Sequence, residues 1–431
     1  MRISKFEEKK IDLYSREIRI LEAEFKIESF GYYDFYLNYE PIENFSKSYV
    51  FINNLAYGEV QFYEGKNYSY LGELKLKPEK YTFQIAFPYE DFKINFLEIK
   101  EKDQSNSKIK NFKIRNNLSD NAKRILEFFQ KIYANYIIAG QHTNTSAGPE
   151  IAYIEYITGE KPALRGFDLL SYTPATKTQE MTPHAIIEIE GNKGSIEKAL
   201  EWGRDFGGIV TFCWHWYAPL GGKDKTFYTI NTDFDLEKAL IEGTEENKAL
   251  LRDIYMIGEK LSIFRGLDLP ILWRPLHEAD GRWFWWGAKG PENYKKLYHL
   301  LYEILTEKFK LNNLIWIWNA PHPDWEIEED LYDIAGIDNY VPPGNHGPMK
   351  FSYDLLLKLT DYRKLVALTE NGPIPDPDLL FEYEAYFLWF MPWFGDFVFN
   401  ESFNSKEHLK KVYNHEKVIT LNKLRKLFSM R

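Results

Sequence analysis

The chain has 431 residues, 44% hydrophobic and 27% charged, with 17% Phe, Trp or Tyr and one cysteine. That length and apolar content can bury a large core, which excludes intrinsic disorder, and a lone Cys213 excludes a disulfide framework or a cysteine zinc site. A net charge of −10 argues against a nucleic-acid partner, and no apolar run reaches the ~18 residues that would suggest a membrane span.

The first ten residues, Met1 to Lys10, are rich in charge with no apolar stretch behind them, so they do not read as a secretory leader. From about 23 to 100 the pattern has period two. Tyr81, Phe83, Ile85 and Phe87 alternate with other residues, as do Leu74 and Leu76, then Phe92, Ile94 and Phe96. With Gly58, Gly65, Gly72, Pro78 and Pro88 read as the breaks, these runs predict the antiparallel strands of a sandwich. The polar stretch Glu101–Lys108 reads as a linker, with the domain boundary near 105–116.

Beyond it the pattern changes. Ser119 can cap a helix carrying Ile125, Phe128, Phe129 and Ile132 on one face. Eight short apolar segments follow as strand candidates: Tyr136–Gln141, Ala163–Asp168, Gly208–Trp214, Ile271–Leu276, Leu314–Trp318, Ala335–Asn339, Leu365–Thr369 and Phe390–Phe394. Helical patterns lie between them, including one through Leu250, Ile254, Ile257 and Leu261 and one that opens at Pro291. A doubly wound sheet would want a glycine-rich phosphate turn after its first strand, and Gly140-Gln-His-Thr is not one. The expected fold is a small all-β sandwich over residues 1–115, linker included, followed by a (β/α)8 TIM barrel over 116–431.

Barrel chemistry sits at the C-terminal ends of the strands. There the sequence places Gln141 and His142, Asp168, Trp214-His215-Trp216, Arg274-Pro-Leu-His277-Glu278, Trp318-Asn319, Asp338-Asn-Tyr340, Thr369-Glu370-Asn371 and Trp393. Glu278 and Glu370 lie three βα units apart, on strands four and seven, close enough for their carboxyls to converge. Paired carboxylates suit glycoside hydrolysis, although two unrelated surface glutamates would look the same at this level. Behind Glu278 stands Gly281-Arg-Trp283-Phe-Trp285-Trp286-Gly287, whose indoles fit either a sugar-stacking cleft or an aromatic plug. The reading taken is that Trp214, Trp216, Trp283, Trp285, Trp286, Trp318 and Trp393 gather as such a cleft. His142, Asp168, His215 and His277 lack tight ligand spacing, so no metal is expected.

The motifs Trp273-Arg-Pro-Leu-His-Glu278, Thr211-Phe-Cys-Trp-His215-Trp, Ile337-Asp-Asn-Tyr340 and Leu368-Thr-Glu370-Asn-Gly resemble those of the family 26 glycoside hydrolases, mostly endo-β-1,4-mannanases. The resemblance runs from about 120 to 400. It implies a retaining mechanism without metal or cofactor, with Glu278 as acid/base and Glu370 as nucleophile. It further implies that His215 and His277 bond the acid/base region and the adjoining sugar, that Trp283 lines the cleft, and that Asp338 supports the substrate subsite. Tyr340 would orient the nucleophile, and Trp393, with Trp389 as the other candidate, would floor the subsite of the cleaved sugar. The implied substrate is a β-mannan or related plant polysaccharide, and the implied setting is extracellular with a leader absent from this chain. A mixed-linkage glucanase or xylanase, or a non-catalytic carbohydrate-binding protein, stays open. The sandwich resembles attached carbohydrate-binding modules. Tyr32, Tyr33, Tyr36, Tyr57, Tyr63, Tyr68 and Tyr70 fit a sugar platform or a core equally well.

Overall fold

Alternation of period two does build a sandwich. The structure, a computed structural model, describes residues 1–13, 16–87, 92–144, 148–177, 181–222 and 226–428. One sheet has the spatial order Glu7–Leu13, Arg16–Lys26, Lys80–Phe87, Ser46–Ile52, Leu55–Phe62, and the other Arg2–Ile3, Ile94–Lys102, Gly31–Tyr39, Tyr68–Leu76, all antiparallel. Tyr81, Phe83, Ile85 and Phe87 face Tyr33, Phe35, Leu37 and Tyr39 in one core. The alternation stops at Phe96, where a register shift at Asn38 and Tyr39 leaves that ring half-exposed with the Arg2 guanidinium 4.7 Å from its centre.

Two glycines expected as breaks lie inside strands instead. Gly58 and Gly72, with φ of 108° and 154°, sit beside bulges, and a barrel helix, Lys350–Leu359, lies on them. A Cβ at Gly58 would come 2.2 Å from Ser352 Oγ, and one at Gly72 would come 2.4 Å from the Phe351 ring. These glycines let a second region approach, and Phe351 enters the sandwich core. Pro88 lies outside the described residues.

The expected linker is tied down. Glu101 and Lys102 end the last strand, and Glu73 accepts hydrogen bonds from the Ser107 hydroxyl at 2.7 Å and the Asn106 amide at 3.0 Å. Arg115 then grips Asp333 through two bonds of 2.7 Å.

The helix Asp120–Ile132 opens at Ser119, whose hydroxyl accepts from the Ala122 amide. Parallel strands then form a barrel: β1 Ile137–His142, β2 Leu164–Asp168, β3 Ile209–Cys213, β4 Ile271–Arg274, β5 Leu314–Trp318, β6 Ile334–Asn339, β7 Leu365–Asn371 and β8 Trp389–Phe390. Hydrogen bonds from the Leu388 amide to the Val366 carbonyl and from the Asn371 amide to the Met391 carbonyl join β7 to β8, and β8 pairs with β1. Four strands are shorter than predicted, β2 and β3 only by flanking residues and β4 and β8 because of prolines. Pro275 ends β4, and β8 stops before Pro392, which has no N–H for a ladder. Asn371 Oδ1 takes the Met391 amide at 2.7 Å, and Gln141 Nε2 donates to the carbonyls of Pro392 and Trp393. A short segment not foreseen, Val418–Ile419, also pairs with β1.

Candidate active site

Glu370 is the last residue but one of β7, and its two carboxylate oxygens have different donors. The buried Arg274 guanidinium, from the end of β4, bonds one oxygen, and the Tyr340 hydroxyl, from just past β6, bonds the other at 2.6 Å. Arg274 also bonds Asp338 at 2.6 Å, and Asn319 and Thr369 close the remaining side of that carboxylate. One cation is thereby shared by two anions with little contact with water.

Glu278 is held differently. It lies in a turn after β4 with φ 53° and ψ 25°, a left-handed conformation costly for a residue with a Cβ. Its amide donates to the Asn319 carbonyl at 2.7 Å, and the Trp283 indole N–H donates to its carboxyl at 2.8 Å. Trp286, further along the same loop, donates to the His277 carbonyl at 2.9 Å and so pins the backbone immediately before Glu278. Gly281 and Gly287 make the loop possible: a Cβ at the first would lie 1.9 Å from the Trp283 ring, and at the second 2.2 Å from the Ala279 carbonyl.

One carboxylate oxygen each from Glu278, Asp338 and Glu370 lies within 4.8 Å of the other two. Burial raises both glutamates above the usual carboxylate range. It raises Glu278 well above, with Asp338 and Glu370 adding to the effect, whereas Arg274 and Tyr340 oppose the rise at Glu370. The two carboxyls therefore differ in the proton each favours.

Beside them, Asp168 accepts from the His215 amide at 3.0 Å and bonds His215 Nδ1 at 2.5 Å, and His215 Nε2 faces His277 Nε2 at 3.1 Å. Burial lowers His215 but Asp168 outweighs it, while burial and Arg274 push His277 well down. The Nε2–Nε2 contact needs one ring to donate and the other to accept. His277 is buried beneath His215, and Asp338 forms part of the floor under the two glutamates.

A cavity of about 190 Å³ stands over this floor, and Glu278, Glu370, His215, Tyr340 and Trp393 line it. The Trp393 ring lies 4.6 Å from His142 and 5.6 Å from His215, whereas Trp389 is buried in β8 against Phe129. The cavity also takes Glu188, Phe227, Tyr228 and Phe284, to which the sequence assigned no role. Only Phe284 carried a signal, inside the tryptophan-rich motif. Phe227 and Tyr228 come from a loop that folds back, where the Thr229 amide donates to the Trp283 carbonyl at 2.7 Å, and Glu188 comes from the helix Pro183–Gly191.

The cleft of seven tryptophans needs correction. Trp214, Trp216, Trp285, Trp286 and Trp318 are at most 1% exposed, Trp214 stacks on Trp216 at 4.0 Å, and Trp285 donates to the Trp216 carbonyl. They are core and struts beneath the mouth. Trp283, 38% exposed, and Trp393 are the two that face open space.

Metal chemistry fits poorly here. Asp168, Cys213 and His215 bring ligand atoms within 4.8 Å of one another, but burial keeps the Cys213 thiol protonated and Asp168 already bonds His215. Among the three carboxylates, Arg274 supplies the cation.

Comparison with known proteins places these features in context. The sequence profile of glycosyl hydrolase family 26 matches residues 114–423. A mannan endo-1,4-beta-mannosidase of Thermothelomyces thermophilus is 42% identical over 70% of this chain and 61% of its own length. Mannan endo-1,4-beta-mannosidase A of Piromyces sp is 28% identical over 86% of this chain and 61% of its own. The chain thus spans about three fifths of these curated relatives. The crystal structure of a Podospora anserina GH26-CBM35 beta-(1,4)-mannanase superposes on all of this chain and 97% of its own, at TM-score 0.71 and 31% identity. A beta-mannanase from a symbiotic protist of the termite Reticulitermes speratus, solved with a gluco-manno-oligosaccharide, covers 73% of this chain at TM-score 0.65 and 31% identity.

Proposed function

The chain belongs to glycosyl hydrolase family 26, and from that premise we propose that it is a retaining endo-β-1,4-mannanase acting on mannan or glucomannan outside the cell. The observation that carries this reading is the carboxylate pair from the ends of β4 and β7, with oxygens within 4.8 Å and opposite partners. Retaining glycosidases need the two carboxyl groups roughly 5–5.5 Å apart, against ~6.5–9.5 Å for inversion, because no water stands between nucleophile and sugar.

In the proposed reaction Glu370, kept ionised by Arg274 and Tyr340, attacks the anomeric carbon. Glu278 gives its proton to the departing glycosidic oxygen as that bond breaks, which leaves a glycosyl ester on Glu370 and a carboxylate at Glu278. Glu278 then takes a proton from a water that displaces Glu370, restoring both groups. His215, held by Asp168 through Nδ1 and by His277 through Nε2, walls the pocket beside the sugar, and Trp393 offers an apolar face beneath it. The sandwich, residues 1–115 in this reading, is a carbohydrate-binding-like domain, and residues 116–431 are the catalytic domain.

The test is a panel of mannan, glucomannan, mixed-linkage glucan and xylan with products sized, and proton NMR of the first anomer released. Internal cleavage of mannan with the β-anomer first is expected. Preference for xylan or mixed-linkage glucan would overturn the substrate, and an α-anomer first would overturn the mechanism.

A further inference from the structure

A second, larger groove of about 870 Å³ lies between the sandwich and the loops after β4 and β5. Phe45 and Tyr63 line it from the sandwich, and Arg282, Trp283, Asp324 and Trp325 from the barrel. Neither domain makes it alone.

The sandwich wall is anchored rigidly to the barrel. Lys47 Nζ bridges Glu59 of the sandwich at 3.1 Å and Asp280 of the barrel at 2.9 Å, and all three side chains are largely withdrawn from water. Breaking such a pair strands a buried charge, so the geometry is strongly held. Gln61 donates to the Pro321 carbonyl, and its side-chain oxygen accepts from the Tyr63 hydroxyl at 2.8 Å. Phe45 and Tyr63 both meet the His322 ring edge-on, at 4.4 and 5.4 Å.

Trp283 connects this groove to the reaction. Its ring lines the groove while its N–H donates to Glu278, the group that touches the departing oxygen in the reading above. The groove therefore lies on the leaving-group side. Aromatic faces flanked by charged and hydroxyl-bonding rims suit a sugar chain, which has apolar C–H faces and a polar edge. We propose that the N-terminal sandwich supplies, through Phe45 and Tyr63, a distal subsite for the leaving-group end of a β-1,4-linked hexopyranose chain. This rests on the glycanase reading and makes the sandwich part of the cleft rather than a separate anchor.

The experiment uses the full chain with Phe45→Ala and Tyr63→Ala, and Arg282→Ala as an exposed variant on the opposite wall. It measures kcat/KM on mannohexaose and mannotriose, with cleavage positions read by mass spectrometry in ¹⁸O-water. The hexaose-to-triose ratio is expected to fall about threefold to tenfold, the scale of one lost aromatic contact, and cleavage to move along the hexaose. A ratio unmoved in both Phe45→Ala and Tyr63→Ala overturns the inference whatever Arg282→Ala does, as does an equal fall at both lengths, which marks a structural role. A wild-type protein that cleaves neither oligosaccharide fails the glycanase reading itself and takes the inference with it.

Discussion

Glu278 and Glu370 are the same residue type, the first half-buried and the second buried, within a few ångströms of each other, yet their surroundings differ in kind. Glu370 sits in an extended strand end and meets a cation and a hydroxyl carried in from β4 and from beyond β6. Glu278 sits in a strained turn and meets a neutral indole from its own loop. Burial alone would keep both protonated. The guanidinium separates them, and it does so from the base of the loop that carries the other glutamate. In the proposed reaction the acid and the nucleophile are told apart by which neighbours reach each carboxyl across the barrel.

The largest break in this comparison is Glu370→Ala, for which kcat on mannan should fall about 10⁴-fold or more, with oligosaccharide binding by calorimetry largely kept. Substantial residual turnover would remove Glu370 from the nucleophile role. Glu278→Ala should cost about 10²- to 10⁴-fold on mannan and much less on aryl mannosides with acidic leaving groups, which need no proton. Equal losses on both substrate kinds would sink the acid assignment.

The pH profile sharpens the difference. Glu370 must be ionised and Glu278 protonated, so kcat/KM should fall with acid through the Glu370 pKa and with alkali through the Glu278 pKa, both limbs above the ordinary carboxylate range. Tyr340→Phe removes a donor to ionised Glu370, so the acid limb should move to higher pH, with kcat down about tenfold. Trp283→Phe removes the donor to Glu278, and there the alkaline limb should move up instead. Movement of the same limb in both variants would erase the distinction. The smallest effect concerns Trp286, whose N–H supports the chain before Glu278. Trp286→Phe should lower unfolding free energy by about 2 kcal/mol in chemical denaturation, and more loss on mannan than on aryl mannosides would show that the strut positions the acid.

Much of this was legible beforehand for a definite reason. Strands buried on both faces leave short apolar runs, so β2, β3 and β5 were found nearly to the residue, and groups directly after them had to stand at the mouth. Arg274 was visible in its motif but silent, because nothing in a linear sequence says that a β4 side chain bonds a β7 carboxylate. The tryptophans misled for a related reason. An indole is equally suited to stacking on sugar and to donating one hydrogen bond in a core, and local spacing does not tell Trp283 from Trp286.

The sandwich tyrosines divide in the same manner. Tyr33 and Tyr57 are core, Tyr36 stacks on Tyr68 on an outer face, Tyr32 bonds Glu384 of the barrel, and Tyr63 enters the groove between the regions. Sequence by itself determined the two fold classes and the pair of glutamates at strand ends, since periodicity and chain order are local properties. Tertiary structure alone decided which aromatic rings face open space, why Gly58 and Gly72 interrupt strands they do not end, and which neighbours reach each of the two carboxyls. Each of those depends on a contact between segments distant in sequence, and the energies of burial and charge pairing exist only once those segments have met.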